Sequence, residues 1–162
     1  MGYRKNSIGH YHHLRDWSGA YTLGYIPLFP LDLAYAAAYL REYGHDVRIV
    51  EASIKHLSTK DVLKVVHQID PDFIHIPTTY FSLDDDKDLA SSIRLSKPEI
   101  KIIFSGPGVT YNPSLALVDK SADAVTLGEI EDPLLRIAEG RFDKNIAYNK
   151  DGRIVLGERS LL

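Results

Sequence analysis

Two rhythms of apolar and polar positions run through the chain, and together they lay out its elements. The clearest lies between residues 58 and 70. Ser58-Thr59-Lys60-Asp61 has the spacing of a capping box, and Val62, Val65, Val66 and Ile69 then fall at i, i+3, i+4 and i+7. That spacing predicts an amphipathic helix, ended by Asp70-Pro71. The run 31–43 is denser. Leu33, Ala34, Ala36, Ala37, Ala38, Tyr39 and Leu40 make it apolar around most of its circumference, so a well-buried helix is expected. Its alanines favour helix and let it approach a sheet closely, and Gly44 supplies a stop.

Short β-branched runs separate these helices. Val47, Ile49 and Val50 predict a strand over 46–52. Phe73-Ile74-His75-Ile76, closed by Pro77, predicts the next. A helix over 83–96 follows. Ser82 with Asp85 again matches a capping box, and Asp84, Asp85 and Asp86 crowd the first turn, where the helix dipole favours negative charge. Lys101-Ile102-Ile103-Phe104-Ser105 is a third strand, ending abruptly in Gly106-Pro107-Gly108. Asn112-Pro113 reads as a cap with proline at the first helical position of a helix reaching about residue 120. A short strand over 122–127 ends in Gly128-Glu129. Asp132-Pro133 then opens a helix carrying Leu134, Leu135, Ile137 and Ala138, stopped by Gly140. Asp151-Gly152 between Ile146-Ala147-Tyr148 and Arg153-Ile154-Val155-Leu156 is a hairpin signal, read as a peripheral appendage.

Strands of about five residues alternating with helices of about a dozen are the pattern of βαβ units. The expected fold class is therefore α/β: a flavodoxin-like (Rossmann-like) doubly wound parallel sheet with helices on both faces and a small C-terminal hairpin. Such a sheet needs a further strand before the first helix. It is poorly defined here; the nearest candidate is 21–26, interrupted by Gly24. The expected division is an irregular N-terminal segment over 1–26, an α/β domain over 27–140, and a peripheral hairpin or linker tail over 141–162.

Composition narrows the function. The 162 residues are 44% hydrophobic and 25% charged with a formal charge of −3, ordinary values for one soluble domain. That balance argues against a nucleic-acid partner, since phosphate-backbone affinity rests on clustered Lys and Arg. No window approaches a transmembrane length and no signal-peptide core opens the chain, so no membrane partner and a cytoplasmic location are expected. With no cysteine, the chain holds no disulfide and no thiolate-bound iron–sulfur cluster. His10, His12 and His13 invite a metal reading. They lack neighbouring Asp, Glu or Cys at ligand spacing, so a polar loop with aromatic anchors is the stronger reading. His75, inside an apolar run, reads as a core histidine. The Asp84–Asp86 cluster reads as solvated helix-start carboxylates rather than a magnesium site.

Ligands of open α/β sheets bind at the carboxyl ends of the strands, which directs attention to Thr78-Thr79, to Gly106-Pro107-Gly108-Val109-Thr110 and to Gly128-Glu129. In their order and spacing these stretches resemble the amino-terminal cobalamin-binding domain of cobalamin-dependent radical S-adenosylmethionine enzymes. Residues 27–44 with His45-Asp46-Val47 are similar to the family's proline-led first helix and its Gly-His-x-Val exit. Residues 71–79 resemble its third strand and ligand-side loop. Residues 103–110 resemble its strand ending Gly-Gly-Pro-His-Val-Thr, and Leu127-Gly128-Glu129-Ile130-Glu131 its Gly-Glu-Gly-Glu turn.

The resemblance implies cobalamin held in a crevice lined by Thr78, Thr79, Gly106, Pro107, Gly108, Val109, Gly128 and Glu129, with Ser82 a further candidate by location. The family's glycines are expected to keep a Cβ out of the path of the nucleotide tail. It implies no catalytic residue and no metal-ligating side chain in the chain itself. The histidine of the Asp-x-His-x-x-Gly signature is absent, since Asp16-Trp17-Ser18-Gly19 has none at that offset, which implies cobalamin without a protein histidine as lower ligand. Gly108 stands where the family often has histidine. The implied role is the cofactor-binding part of a transferase, its partner a radical S-adenosylmethionine catalytic domain or subunit. A degenerate domain of the same fold, without cofactor and acting as an interaction module, is the alternative. A nucleotide- or sugar-directed enzyme finds no support, because Gly-x-Gly-x-x-Gly and Gly-x-x-x-x-Gly-Lys-Ser/Thr are both missing.

Overall fold

A computed structural model describes residues 5–10, 30–52, 55 and 57–159. Its elements run β1 (Lys5–His10), α1 (Leu31–Glu42), β2 (Asp46–Val50), α2 (Thr59–Ile69), β3 (Phe73–Pro77), α3 (Leu83–Ser96), β4 (Lys101–Ser105), α4 (Pro107–Tyr111), α5 (Ser114–Leu117), β5 (Ala124–Thr126), α6 (Glu131–Ala138), β6 (Ile146–Lys150) and β7 (Arg153–Leu156). One sheet takes the strands in the order β2-β1-β3-β4-β5-β6-β7. The first five pair in parallel, and β6 and β7 add antiparallel. This is the flavodoxin-like 2-1-3-4-5 order with two strands appended.

The first strand is Lys5–His10, which pairs with both β2 and β3. No alternation marked it in the sequence. The candidate over 21–26 lies outside the described residues, as do His12 and His13. Among the described residues no group of His, Cys, Asp and Glu is arranged to hold a metal ion, and no helix is long and apolar enough to cross a membrane.

Strand alternation sorts the core into two layers. Ile74, Ile76, Ile102, Phe104 and Val125 face α2, α3 and α5, meeting Val66, Ile93 and Leu117. Phe73, Ile103, Ala124 and Ile146 face α1 and α6, meeting Leu33, Ala37, Leu40, Leu134 and Ile137. The small residues Ala36 and Ala37 are buried where α1 lies against the sheet, as the alanine-rich run predicted, but the helix is buried on one face only, leaving Leu31, Tyr35 and Ala38 exposed. The hairpin is joined more closely than a peripheral appendage. Ile146 and Ala147 are fully buried, because β6 extends the sheet from β5. Asp151 and Gly152 both take positive φ, the requirement of a two-residue primed turn.

Helix starts meet expectation unevenly. Ser58 Oγ accepts from the Asp61 N–H and the Ser58 N–H donates to Asp61 Oδ2, completing the capping box of α2. Ser82 does not cap α3. Its hydroxyl accepts instead from the Thr79 N–H at 3.0 Å, while Thr79 Oγ1 accepts from the Ser82 N–H at 3.2 Å. The hydroxyls close the β3–α3 loop on itself, a local alternative to capping. Residues 107–111 form the short helix α4 rather than a loop. Proline at its first position has φ preset for helix and no N–H to orphan.

Candidate functional site

A crevice of about 310 Å³ opens where β3, β4 and β5 end. Its walls are Pro77, Thr78 and Thr79 after β3, Ser105, Gly106 and Pro107 after β4, Gly128, Glu129 and Ile130 after β5, and Asp32 from the first turn of α1. Of the nine residues expected there, Thr78, Thr79, Gly106, Pro107, Gly128 and Glu129 line it. Gly108, Val109 and Ser82 do not. Val109 is fully buried in the layer facing α2 and α3, Ser82 is buried and engaged with Thr79, and Gly108 lies beside the Tyr80 backbone. Asp32, Pro77, Ser105 and Ile130 were not foreseen. A signal for Asp32 existed, because the first helix of such a sheet starts at the carboxyl edge.

The glycines shape the crevice mainly through the protein's own backbone. At Gly106 φ is +115°, and a Cβ would sit 1.9 Å from the Thr78 carbonyl oxygen. Thr78 is drawn that close by its own N–H, which donates to the Ser105 carbonyl at 2.8 Å. So Gly106 permits two loops to touch. At Gly108 a Cβ would make ordinary contact with Tyr80, the nearest atom being 3.6 Å away. Gly128 has φ +90° with open space around it; only its conformation demands glycine. Thr110 Oγ1 donates to the Thr126 carbonyl at 3.2 Å and holds α4 against β5.

The chemistry of the walls is polar and acidic. Among the described residues, Asp32 and Glu129 are the charged lining residues, with no Lys or Arg beside them. Thr126, two residues before Gly128, has a buried hydroxyl without a hydrogen-bond partner among the described residues. His75 Nε2 lies 2.7 Å from Ser105 Oγ, both residues being 2% exposed. Burial lowers the His75 pKa from 6.5 to about 3, so the imidazole is neutral at physiological pH. Outside the lining, Tyr80 and Phe81 in the β3–α3 loop and Tyr111 at the end of α4 are 75%, 69% and 92% exposed, and the Tyr80 and Phe81 rings meet edge to face at 6.0 Å. Asp86 differs from its two neighbours: it is fully buried rather than solvated.

Comparison with known proteins places these features in a family. A family model described as the B12 binding domain matches residues 25–138. An uncharacterized methyltransferase of Pyrococcus horikoshii is 30% identical over 133 residues, covering 77% of this chain and 29% of that protein. Cytidylyl-2-hydroxyethylphosphonate methyltransferase of Streptomyces wedmorensis is 30% identical over 121 residues, covering 64% of this chain and 23% of its own. The chain thus spans under a third of the length of these curated relatives. Among solved structures, the cobalamin-dependent S-adenosylmethionine radical enzyme OxsB, with aqua-cobalamin and S-adenosylmethionine bound, superposes with a TM-score of 0.77 at 12% identity, over 99% of this chain and 23% of that one. A CheY-like protein, tadZ, from Pseudomonas aeruginosa gives a TM-score of 0.57 at 13% identity, over 85% and 95%. At these identities the structural likeness is one of fold.

Proposed function

This chain belongs to the B12 binding domain family, and on that premise we propose that it holds cobalamin at the carboxyl ends of β3, β4 and β5. It would serve radical S-adenosylmethionine chemistry, such as methyl transfer, carried out by a catalytic domain or subunit. The observation that carries the reading is the crevice, which has backbone-lined walls at Gly106-Pro107 and Gly128 and, among the described residues, no cationic side chain. A nucleotide polyphosphate would call for Lys or Arg, which the described lining lacks, and for helix-start N–H donors, of which Pro107 removes one. Cobalamin presents a periphery of neutral carboxamides, which suits acceptors such as Asp32, Glu129 and the threonine hydroxyls.

Thr78 and Thr79, fixed by the closed β3–α3 loop, would meet the cofactor on one side. Gly128 and Glu129 would meet it on the other. A crevice of about 310 Å³ is at the lower end for whole ligands and fits part of a cofactor this large. Bound cobalamin supplies a methyl carrier or a redox partner. Its lower face would have no protein histidine, since the Asp-x-His-x-x-Gly signature is missing. With no cysteine here, an iron–sulfur cluster would come from the catalytic partner.

The test is retention of the cofactor. The protein is mixed anaerobically with hydroxocobalamin or methylcobalamin, freed of excess, and its visible spectrum recorded. Retained corrin absorbance with a base-off spectrum is expected, and loss of all corrin would sink the reading. In that event the exposed Tyr80, Phe81 and Tyr111 favour a second reading, an interaction module without cofactor.

A further inference from the structure

One buried polar pair beneath the crevice has no part in the reading above. His75 on β3 and Ser105 on β4 fall in the strand alternation with Phe73 and Ile103, on the face covered by α1 and α6. Packing alone gives no reason to place an imidazole there among Leu33, Ala36, Ala37, Leu40 and Leu134. Ser105 is also a lining residue of the crevice. Its carbonyl accepts from the Thr78 N–H, and its hydroxyl meets Nε2 of His75.

Resting on the cobalamin reading, we propose that His75 is a positioning residue for Ser105. The neutral imidazole accepts the serine O–H, and the lone pairs of Ser105 Oγ are thereby held for a hydrogen-bond donor in the crevice. The group recognised is a primary carboxamide N–H of the ligand. At 2.7 Å the pair is hydrogen-bonded, and the tautomer with the ring proton on Nδ1 is the one that commits the serine proton to Nε2. Low dielectric around the pair strengthens the bond and stops the hydroxyl from rotating. A serine left free could donate or accept, and would not tell a carboxamide N–H from a phosphate oxygen. With its proton committed to His75, it accepts only. The acidic side chains Asp32 and Glu129 on the same walls are acceptors too.

The test combines affinity and tautomer on the full chain. Hydroxocobalamin is titrated anaerobically into the wild type, Ser105→Ala, His75→Leu, His75→Gln and the Ser105→Ala/His75→Leu pair. Ser105→Ala and His75→Leu should each weaken binding by about three- to tenfold, the worth of one hydrogen bond. The double variant should bind no worse than either, and His75→Gln, whose amide oxygen can replace Nε2 as acceptor, should regain most of the loss. Nitrogen-15 spectra of the wild type should show His75 with its proton on Nδ1 throughout pH 5 to 8. Wild-type affinity in Ser105→Ala, or additive losses in the pair, would overturn the proposal while leaving the cobalamin reading intact. A wild type that retains no corrin overturns that reading and the carboxamide with it. A proton found on Nε2 overturns the acceptor role even if a variant fails to fold.

Discussion

Gly106 and Thr78 are in backbone contact that no other residue at position 106 would allow. The Thr78 carbonyl oxygen lies 1.9 Å from where a Cβ would stand, at a φ of +115° that side chains avoid. The loops that follow β3 and β4 are thus locked together by the protein's own backbone. Gly106→Ala is expected to destabilise the fold by at least about 2 kcal/mol through strain and displacement of the loop. Gly108→Ala, in ordinary contact within α4, should be neutral or stabilising by up to about 1 kcal/mol. Urea unfolding of the two variants checks the contrast, and equal effects would refute it.

His75 makes stability depend on pH. Its folded pKa is lowered to about 3 from 6.5, so below pH 6.5 the unfolded chain takes up a proton that the folded chain refuses. The native state binds fewer protons, and stability therefore rises with pH through that window. Going from pH 7 to pH 5 should remove about 2 kcal/mol from this group alone. His75→Gln should lack that share of the loss. Denaturant midpoints of both proteins at the two pH values decide it, and parallel slopes would count against a buried neutral histidine.

The capping box of α2 is local and separable from the crevice. Ser58→Ala removes the acceptor for the Asp61 N–H and should cost about 1 kcal/mol. Cofactor retention should not change. Thermal unfolding together with the corrin spectrum measures both, and a loss of retention would show that α2 reaches the site.

The exposed aromatics should behave in the opposite way. Tyr80, Phe81 and Tyr111 are mostly exposed, so replacing all three by serine should move the unfolding free energy by no more than about 0.5 kcal/mol per site. If they cover the bound cofactor, retention of hydroxocobalamin falls several-fold. Unchanged retention would assign them to contact with another protein surface.

Much of the site was legible because strand ends and glycine turns are local signals. Thr78-Thr79, Gly106-Pro107 and Gly128-Glu129 follow three apolar strand runs, and the sheet brings those ends together. Val109 and Ser82 sit in the same loops yet turn inward, Val109 because Pro107 starts a helix and Ser82 because Thr79 captures its hydroxyl. Such choices depend on which partner lies within reach, and adjacency along the chain does not supply it.

From local pattern alone came the α/β class, the parallel alternation, most helix limits and the three strand-end turns that line the crevice, since periodicity and caps act over a few residues. Lys5–His10 stayed hidden because its place between β2 and β3 comes from pairing with strands far along the chain. Tertiary structure also decided that β6 closes the core, that Asp32 enters the crevice, and that His75 meets Ser105 across neighbouring strands. It changed the meaning of the glycines as well: what excludes a side chain at Gly106 is the carbonyl of Thr78, brought there by the register of β3 against β4.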